Sequence, residues 1–140
     1  AREASRVAYS ALRVLVADDD PDFRALLWEA LDYAFPGADI VMVGDGRSAL
    51  RALDKKQVSL AIFDLDMPGM NGVELTAAIR ATPLHENIPV IVVTATGGAP
   101  DWQLLQSLGA DGFLVKPLDP VAFVSVVRRT VGLEGLDDFG

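Results

Sequence analysis

The stretch Leu60-Ala-Ile-Phe-Asp64-Leu-Asp66-Met-Pro-Gly-Met-Asn-Gly72 decides how this chain folds and where its chemistry lies. Its apolar beginning, residues 60–63, predicts a buried strand that stops at the carboxylate of Asp64. The Pro and Gly that follow predict a turn, and Asn71 with Glu74 three residues later predicts a capped helix start. In open α/β sheets, ligands gather at the carboxyl ends of the strands. Asp64 is therefore the first candidate functional residue.

The rest of the chain alternates between the same two patterns. Apolar or β-branched runs predict strands at 12–17, 40–43, 58–63, 88–93 and 112–115. Apolar residues at helical spacing predict helices at 21–34, 47–56, 71–81, 101–108 and 119–131. This alternation predicts an α/β fold, a doubly wound parallel sheet covered on both faces. We expect residues 12–131 to form one domain, 1–11 to be an N-terminal extension or linker, and 132–140 to be an acidic tail.

Composition narrows the classes of function. The net charge of −8 disfavours direct nucleic-acid binding, because that binding usually needs a basic face. The chain has no cysteine and a single histidine, His85, which excludes thiolate sites and any two-histidine site within one chain. We interpret His85 as a surface residue. No apolar run approaches the roughly 20 residues that span a bilayer, so we expect a cytoplasmic protein without membrane contact. The chain is either a stand-alone protein or part of a longer one, and the absence of an initial Met favours a fragment.

Several predicted strands end in a group that can do chemistry. These groups are Asp18 and Asp19 after the first strand, Asp64 after the third, Thr94 after the fourth and Lys116 after the fifth. Parallel strands bring their carboxyl ends to one edge of the sheet, so we expect these side chains to meet. Carboxylates that lie about 4 Å apart repel each other by about 4 kcal/mol per pair at an effective dielectric near 20. Mg²⁺ is the expected counter-charge, with Mn²⁺ as the alternative, and Lys116 supplies a second positive group. A carboxylate in such surroundings is suited to accept a phosphoryl group.

Some of these residues also have a plain structural explanation. Asp20 precedes Pro21, and an acid before a helix-starting proline is typical of an N-cap. Asp66 is either a turn former or a metal ligand through its backbone carbonyl, and the sequence leaves both open. Thr94 and Lys116, each taken alone, are ordinary residues for a strand end. The prediction therefore rests on the convergence of several strand ends.

These residues resemble the receiver domains of two-component response regulators, the group that includes the chemotaxis response regulator. The matching stretches, within about 12–131, are Val14–Asp19, Phe63–Gly72, Val93–Ala95 and Gly109–Pro117. The resemblance implies a flavodoxin-like sheet in the order 2-1-3-4-5, and often a cis bond before Pro117. It implies that Asp64 accepts a phosphoryl group from the phosphohistidine of a sensor histidine kinase or phosphotransfer protein. It further implies that Asp18 and Asp19 bind the metal with the Asp66 carbonyl, and that Thr94 and Lys116 bind phosphoryl oxygens.

The resemblance also implies a switch. Thr94 would move toward the phosphoryl group, and Phe113, which stands where the family commonly has tyrosine, would rotate inward. The surface of the fourth helix, fifth strand and fifth helix would then change its affinity for an output partner or for a second copy. Trp102 lies either on this output face or packed against the domain, and Phe123, Val124 and Val127 are candidates for both core and dimer surface. Gly97-Gly98 predicts a mobile loop, and Asp66 and Thr96 occupy positions that tune the lifetime of the phosphorylated form.

Two alternatives remain at this point. Asp64-Leu65-Asp66 matches the Asp-x-Asp of haloacid-dehalogenase-type phosphatases, although that motif should follow the first strand rather than the third. A degenerate receiver that only binds partners is the other. In the favoured interpretation the chain is not a conventional enzyme and carries out only its own phosphorylation and dephosphorylation.

Overall fold

The computed structural model describes residues 9–95 and 99–133. Within them, five strands alternate with five helices, as the sequence predicts. In chain order they are β1 Arg13–Ala17, α1 Pro21–Ala34, β2 Asp39–Val43, α2 Gly46–Lys55, β3 Leu60–Asp64, α3 Gly72–Ala81, β4 Val90–Thr94, α4 Ala99–Ser107, β5 Gly112–Val115 and α5 Pro120–Thr130. The predicted boundaries differ from these by two residues at most.

The strands form a parallel sheet in the order β2-β1-β3-β4-β5, which confirms the expected doubly wound topology. Side chains alternate across a strand, so Val14 and Val16 face one side of the sheet while Leu15 and Ala17 face the other. The first face packs against α1 and α5, and the second against α2, α3 and α4. The two cores therefore hold the sheet rigid between helical layers.

The inner strands β3 and β4 are buried along their whole length. A strand covered on both faces has apolar residues at successive positions, which explains the unbroken runs in the sequence. β4 starts after Pro89, because proline has no N–H to donate to the ladder. Asp64 and Thr94 are the last residues of their strands, so both side chains lie at the carboxyl edge of the sheet.

The interpretation of His85 as a surface residue is wrong. Its side chain is buried, and its Nε2 lies 3.1 Å from Oδ1 of Asp54 at the end of α2. The chain after α3 turns back on itself, with the His85 N–H donating to the carbonyl of Thr82 and its own carbonyl accepting from Ile88. This compact turn places the ring at the opposite edge of the sheet from Asp64.

Several predictions concern the ends of the chain and the loop after β4. Tyr9 packs edge-on against Phe35 with ring centroids 5.4 Å apart, so the predicted extension includes a residue that contacts the core. Residues 1–8, Thr96 with the Gly97-Gly98 pair, and 134–140 of the predicted tail lie outside the described residues. Among the described helices, none is both long and apolar enough to cross a membrane.

The sequence assigns three apolar residues of the fifth helix, Phe123, Val124 and Val127, to either the core or a dimer surface. Phe123 and Val127 are fully buried against the sheet and belong to the core. Val124 is partly buried, whereas Val121 at the start of α5 is 77% exposed. Burial therefore accounts for Phe123 and Val127, whereas Val121 leaves an apolar side chain at the surface.

Candidate functional site

Three carboxylates meet at the carboxyl edge of the sheet. Asp18 directly follows β1 and Asp64 ends β3, and these two strands are neighbours in parallel register. Each of Asp18, Asp19 and Asp64 offers an oxygen atom within 4.8 Å of the others. Asp18 and Asp64 are buried, whereas Asp19 is exposed. Asp18 and Asp64 thus lie on the buried side of a small cluster, and Asp19 lies on its solvent side.

The start of α1 holds Asp18 in place. The N–H of Asp20 donates to Oδ1 of Asp18 over 2.9 Å, and an Arg24 guanidinium N–H donates to the backbone carbonyl of Asp18. Asp20 itself is the N-cap of α1, and its side chain accepts from the N–H of Asp22. Asp20 therefore caps the helix, as the sequence predicts, and is not one of the three acids of the cluster.

Lys116 reaches the cluster from the end of β5. Its Nζ lies 3.0 Å from Oδ2 of Asp18 and 3.4 Å from Oδ2 of Asp64. The Lys116–Pro117 peptide bond is cis, and the Lys116 N–H donates to the carbonyl of Thr94. In this structure the ammonium therefore bridges both buried acids and lies closer to Asp18 than to Asp64.

Burial and charge perturb two of these groups. Burial raises the pKa of the Asp64 carboxyl above its usual range, the N–H of Asp66 opposes that shift, and the charge of Asp18 adds to it. Burial alone would lower the pKa of Lys116, but its hydrogen bonds and charge interactions with Asp18 and Asp64 outweigh burial and raise that pKa. Lys116 thus stays a cation at neutral pH, while ionised Asp64 carries a cost that a further cation would relieve.

The turn after β3 holds the Asp64 carboxylate from the other side. The N–H of Asp66 donates to Oδ1 of Asp64 over 3.2 Å. Thr94, fully buried at the end of β4, has its Oγ1 3.4 Å from Oδ2 of Asp66 and donates to it. Asp66 therefore links Asp64 to Thr94 through its backbone on one side and its carboxylate on the other. The sequence did not predict this side-chain contact.

Gly72 allows the turn to approach the strand closely. Its N–H donates to the carbonyl of Leu65 over 2.7 Å. A Cβ at Gly72 would lie 2.8 Å from Cα of Leu65 and 2.9 Å from the backbone oxygen of Asp64. The predicted capping box is present, with Asn71 and Glu74 each accepting from the other's backbone N–H. Helix α3 is thus anchored directly behind the candidate acceptor.

Comparison with known proteins identifies the family. The model of the response regulator receiver domain matches residues 14–128. The chain belongs to this receiver domain family. The haloacid-dehalogenase alternative is therefore not supported, in keeping with the place of Asp64 at the end of the third strand.

Individual receivers are similar over most of the chain. The DNA-binding response regulator MtrA of Mycolicibacterium smegmatis is 35% identical over 116 residues, which cover 83% of this chain and 49% of MtrA. An uncharacterised 14.6 kDa protein of Leptolyngbya boryana is 34% identical over 83% of this chain and 87% of its own length. The chain thus spans about half of MtrA and most of the second relative. The solved structure of the chemotaxis response regulator CheY4 of Vibrio cholerae is 29% identical, covers 85% of this chain and 98% of that one, and has a TM-score of 0.78.

Phe113, a candidate switch residue of this receiver domain, lies beside Trp102. Phe113 on β5 is partly buried, and its ring stacks on the ring of Trp102 in α4, with centroids 5.8 Å apart and an interplanar angle of 22°. Trp102 is also only partly exposed and packs against the core below α4. Trp102 therefore packs against the domain, and its place on an output face stays a prediction.

One residue at the site of this receiver was missed by sequence reasoning. Phe23 in the first turn of α1 lies under the ammonium of Lys116, with Nζ 4.0 Å from the ring centroid. In the sequence, Phe23 is only one of the apolar residues at helical spacing that predict the helix at 21–34. No local pattern could have found this contact, because Phe23 and Lys116 lie at opposite ends of the chain.

Proposed function

We propose that Asp64 is the phosphoacceptor of this receiver and takes a phosphoryl group from a phosphohistidine. The observation that carries the proposal is the position of Asp64 at the centre of the site. Its carboxylate lies among two further acids, an ammonium and a backbone N–H donor, at the carboxyl edge of the sheet. Donors and charges held in this way are what phosphoryl transfer needs, since it depends mainly on positioning and on neutralising the phosphoryl oxygens.

The donor set at this edge fits a Mg²⁺ ion, with Mn²⁺ as the alternative. The candidate ligands are the carboxylates of Asp18, Asp19 and Asp64 and the backbone carbonyl of Asp66, all of them the hard oxygen donors that Mg²⁺ prefers. The raised pKa of Asp64 supports this assignment, because a nearby cation would stabilise its ionised form. When bound, the ion supplies positive charge to the phosphoryl oxygens.

The residues of the chain have distinct parts in the transfer. A carboxylate oxygen of Asp64 forms a bond to phosphorus as the bond from phosphorus to the imidazole nitrogen of the donor breaks, and the electron pair remains on that nitrogen. The N–H of Asp66 orients the carboxylate before the reaction. Lys116, already 3.4 Å from Asp64, pairs with one phosphoryl oxygen. Burial of Asp64 keeps bulk water from the new acyl phosphate, whose later hydrolysis returns the receiver to its starting state.

The switch begins at Thr94. Its hydroxyl donates to Asp66 in the present structure and would exchange that partner for a phosphoryl oxygen on Asp64. The movement of Thr94 leaves space into which Phe113 rotates, and this rotation separates Phe113 from Trp102. The affected surface comprises α4, β5 and α5, where Leu104 and Val115 are about half exposed. Phosphorylation thereby shifts the population between two conformations of a surface that binds partners.

This surface is the proposed contact for an output domain, a partner protein or a second copy of the chain. The proposed phosphodonor is a sensor histidine kinase or a phosphotransfer protein. The proposed receiver domain spans residues 12–131, with 1–11 and 132–140 as flanking segments.

The acceptor is tested by incubation with Mg²⁺ and acetyl phosphate, followed by intact-mass measurement. The parent chain should gain one phosphoryl group, and Asp64→Asn should gain none. Asp20→Asn is the matched control, because Asp20 is an acid of the same loop that caps α1 instead of joining the cluster, and this variant should still be phosphorylated. No gain by the parent, with Mg²⁺ binding confirmed, would leave the chain a degenerate receiver that acts only by binding.

The switch is tested by tryptophan fluorescence. The chain has two tryptophans, so Trp28→Phe leaves Trp102 as the reporter. Its emission should change on phosphorylation, because Phe113 leaves the stack. An additional Phe113→Leu substitution should remove most of this change. An unchanged emission in a fully phosphorylated Trp28→Phe sample would contradict the proposed rotation.

A further inference from the structure

The Lys116 ammonium is confined by three groups that come from different parts of the chain. Asp18 and Asp64 approach it from the sheet edge, at 3.0 and 3.4 Å. The ring of Phe23 faces it from α1, 4.0 Å away. The Lys116 side chain is only 18% exposed, so little water replaces these contacts. Its position is therefore set by two negative charges and one aromatic face.

The position of Phe23 is itself well determined. Asp20 caps α1 and Pro21 starts it, which fixes the first helical turn in which Phe23 lies. The Phe23 side chain is partly buried and packs against the core between α1 and the sheet. A ring anchored in this way presents a fixed surface to the site.

We propose that Phe23 is a positioning residue that holds the Lys116 ammonium beside the phosphoacceptor through a cation–π contact. The inference rests on the proposed function of Asp64 and adds a residue to that site. The face of an aromatic ring attracts a cation, most strongly where both are partly desolvated. Lysine needs such a support more than arginine would, because its ammonium is a point charge on a flexible four-carbon stem.

If only the carboxylates held the Lys116 ammonium, it would move when Asp18 binds a cation or Asp64 is phosphorylated. In this structure Lys116 lies nearer to Asp18, one of the proposed metal ligands, than to Asp64. When Asp18 turns to a cation and Asp64 carries a phosphoryl group, both of these contacts change. The ring of Phe23 is uncharged and does not take part in either change. It therefore keeps the ammonium on the same side of Asp64 before and after transfer.

The test compares Phe23→Leu, which removes the aromatic face, with Phe23→Tyr, which keeps it. The rate of phosphorylation by acetyl phosphate at saturating Mg²⁺ should fall about three- to tenfold in Phe23→Leu and stay within about twofold of the parent in Phe23→Tyr. Mg²⁺ affinity should be unchanged in both variants, because neither substitution touches a carboxylate. If Phe23→Leu does not fold, Phe23→Met, which is unbranched and fills irregular gaps, takes its place.

A second measurement reads the contact without phosphate. In NMR spectra, the ε-methylene protons of Lys116 should show a ring-current shift in the parent and in Phe23→Tyr, and that shift should vanish in Phe23→Leu. Equal phosphorylation rates for the parent and Phe23→Leu, or a Lys116 signal without ring-current shift in the parent, would overturn the inference. If the parent shows the shift but takes up no phosphoryl group, the proposed function of Asp64 fails while the Phe23–Lys116 contact stands.

Discussion

The substitution Asp64→Asn should stabilise this receiver in the absence of metal, although it alters a buried residue. The Coulomb terms at Asp64 nearly cancel. At an effective dielectric near 20, Lys116 at 3.4 Å attracts the carboxylate by about 5 kcal/mol. Asp18, within 4.8 Å, repels it by at least about 3.5 kcal/mol, and the exposed Asp19 adds about 1 to 2 kcal/mol because solvent screens it.

Burial of Asp64 therefore decides whether Asp64→Asn raises or lowers the free energy of unfolding. Asp64 is only 6% exposed, and a carboxylate loses several kcal/mol of hydration in such a place, of which the Asp66 N–H returns a part. Asparagine keeps the shape and the acceptor for that N–H but carries no charge. We expect Asp64→Asn to raise the free energy of unfolding by about 1 to 2 kcal/mol, or the midpoint temperature by about 3 to 8 °C.

The assay is urea or thermal unfolding in EDTA and again in Mg²⁺. Saturating Mg²⁺ should stabilise the parent by mass action, by about 2.7 kcal/mol at 100 times the dissociation constant, and should stabilise Asp64→Asn much less. In EDTA, Asp64→Asn should therefore be the more stable protein, and in Mg²⁺ the parent should be. Glu29→Gln is the control, since it removes one negative charge from an exposed position and should change neither measurement.

The difference in stability between Asp64→Asn and the parent should also depend on pH. The pKa of Asp64 is raised in the folded protein above the ordinary value of 3.8. The free-energy cost of ionised Asp64 in the folded protein is absent below pH 3.8. It grows as the pH rises from 3.8 to the raised pKa, and it is constant above that pKa. The advantage of Asp64→Asn in EDTA should therefore shrink as the solution is acidified. If Asp64→Asn proves less stable than the parent in EDTA at neutral pH while Glu29→Gln is unchanged, the account of Asp64 as a buried, costly charge is refuted.

Three further predictions follow from the same site. Asp19→Asn should weaken Mg²⁺ binding in a titration far more than Asp20→Asn, and equal effects would contradict the assignment of Asp20 to the helix cap. Gly72→Ala should lose about 1 to 3 kcal/mol in urea unfolding and slow phosphorylation, because its Cβ would lie 2.8 Å from a backbone carbon. Gly132→Ala, with no atom within 4 Å of its Cβ, should lose only about 1 kcal/mol for its positive φ and be phosphorylated at the parent rate. The pKa of Lys116 is raised above 10.5, so its contribution to stability is fully present below that value and is lost as the pH rises through the raised pKa. Unfolding at graded alkaline pH should therefore show a loss in the parent that Lys116→Met lacks, and parallel curves would exclude the ion pairs as its source.

The sequence alone predicted much of the site because the rules that place it are local or topological. The apolar run before Asp64 predicts a buried strand, and the acids after β1 and at the end of β3 must meet once the strands are parallel and adjacent. Asn71 and Glu74 specify the start of α3 by hydrogen bonds three residues apart. Each of these features needs only the neighbouring residues or the order of strands.

Other features depended on contacts between residues far apart in the chain, and the sequence did not show them. The sequence around His85 is typical of a surface loop, because nothing near it indicates that the turn after α3 folds back toward Asp54. The sequence indicates that Asp66 is a turn former or a metal ligand through its carbonyl, whereas the partner of its carboxylate, Thr94, belongs to the next strand.

The sequence by itself therefore determined the order of the elements and the collection of acids at one edge of the sheet. Only the tertiary structure decided how Lys116 divides its contacts between Asp18 and Asp64, and that the ring of Phe23 supports it. It likewise decided that Trp102 stacks on Phe113. The physical reason is that hydrophobic periodicity specifies which face of an element is buried, whereas the pairing of individual side chains depends on how those faces pack together.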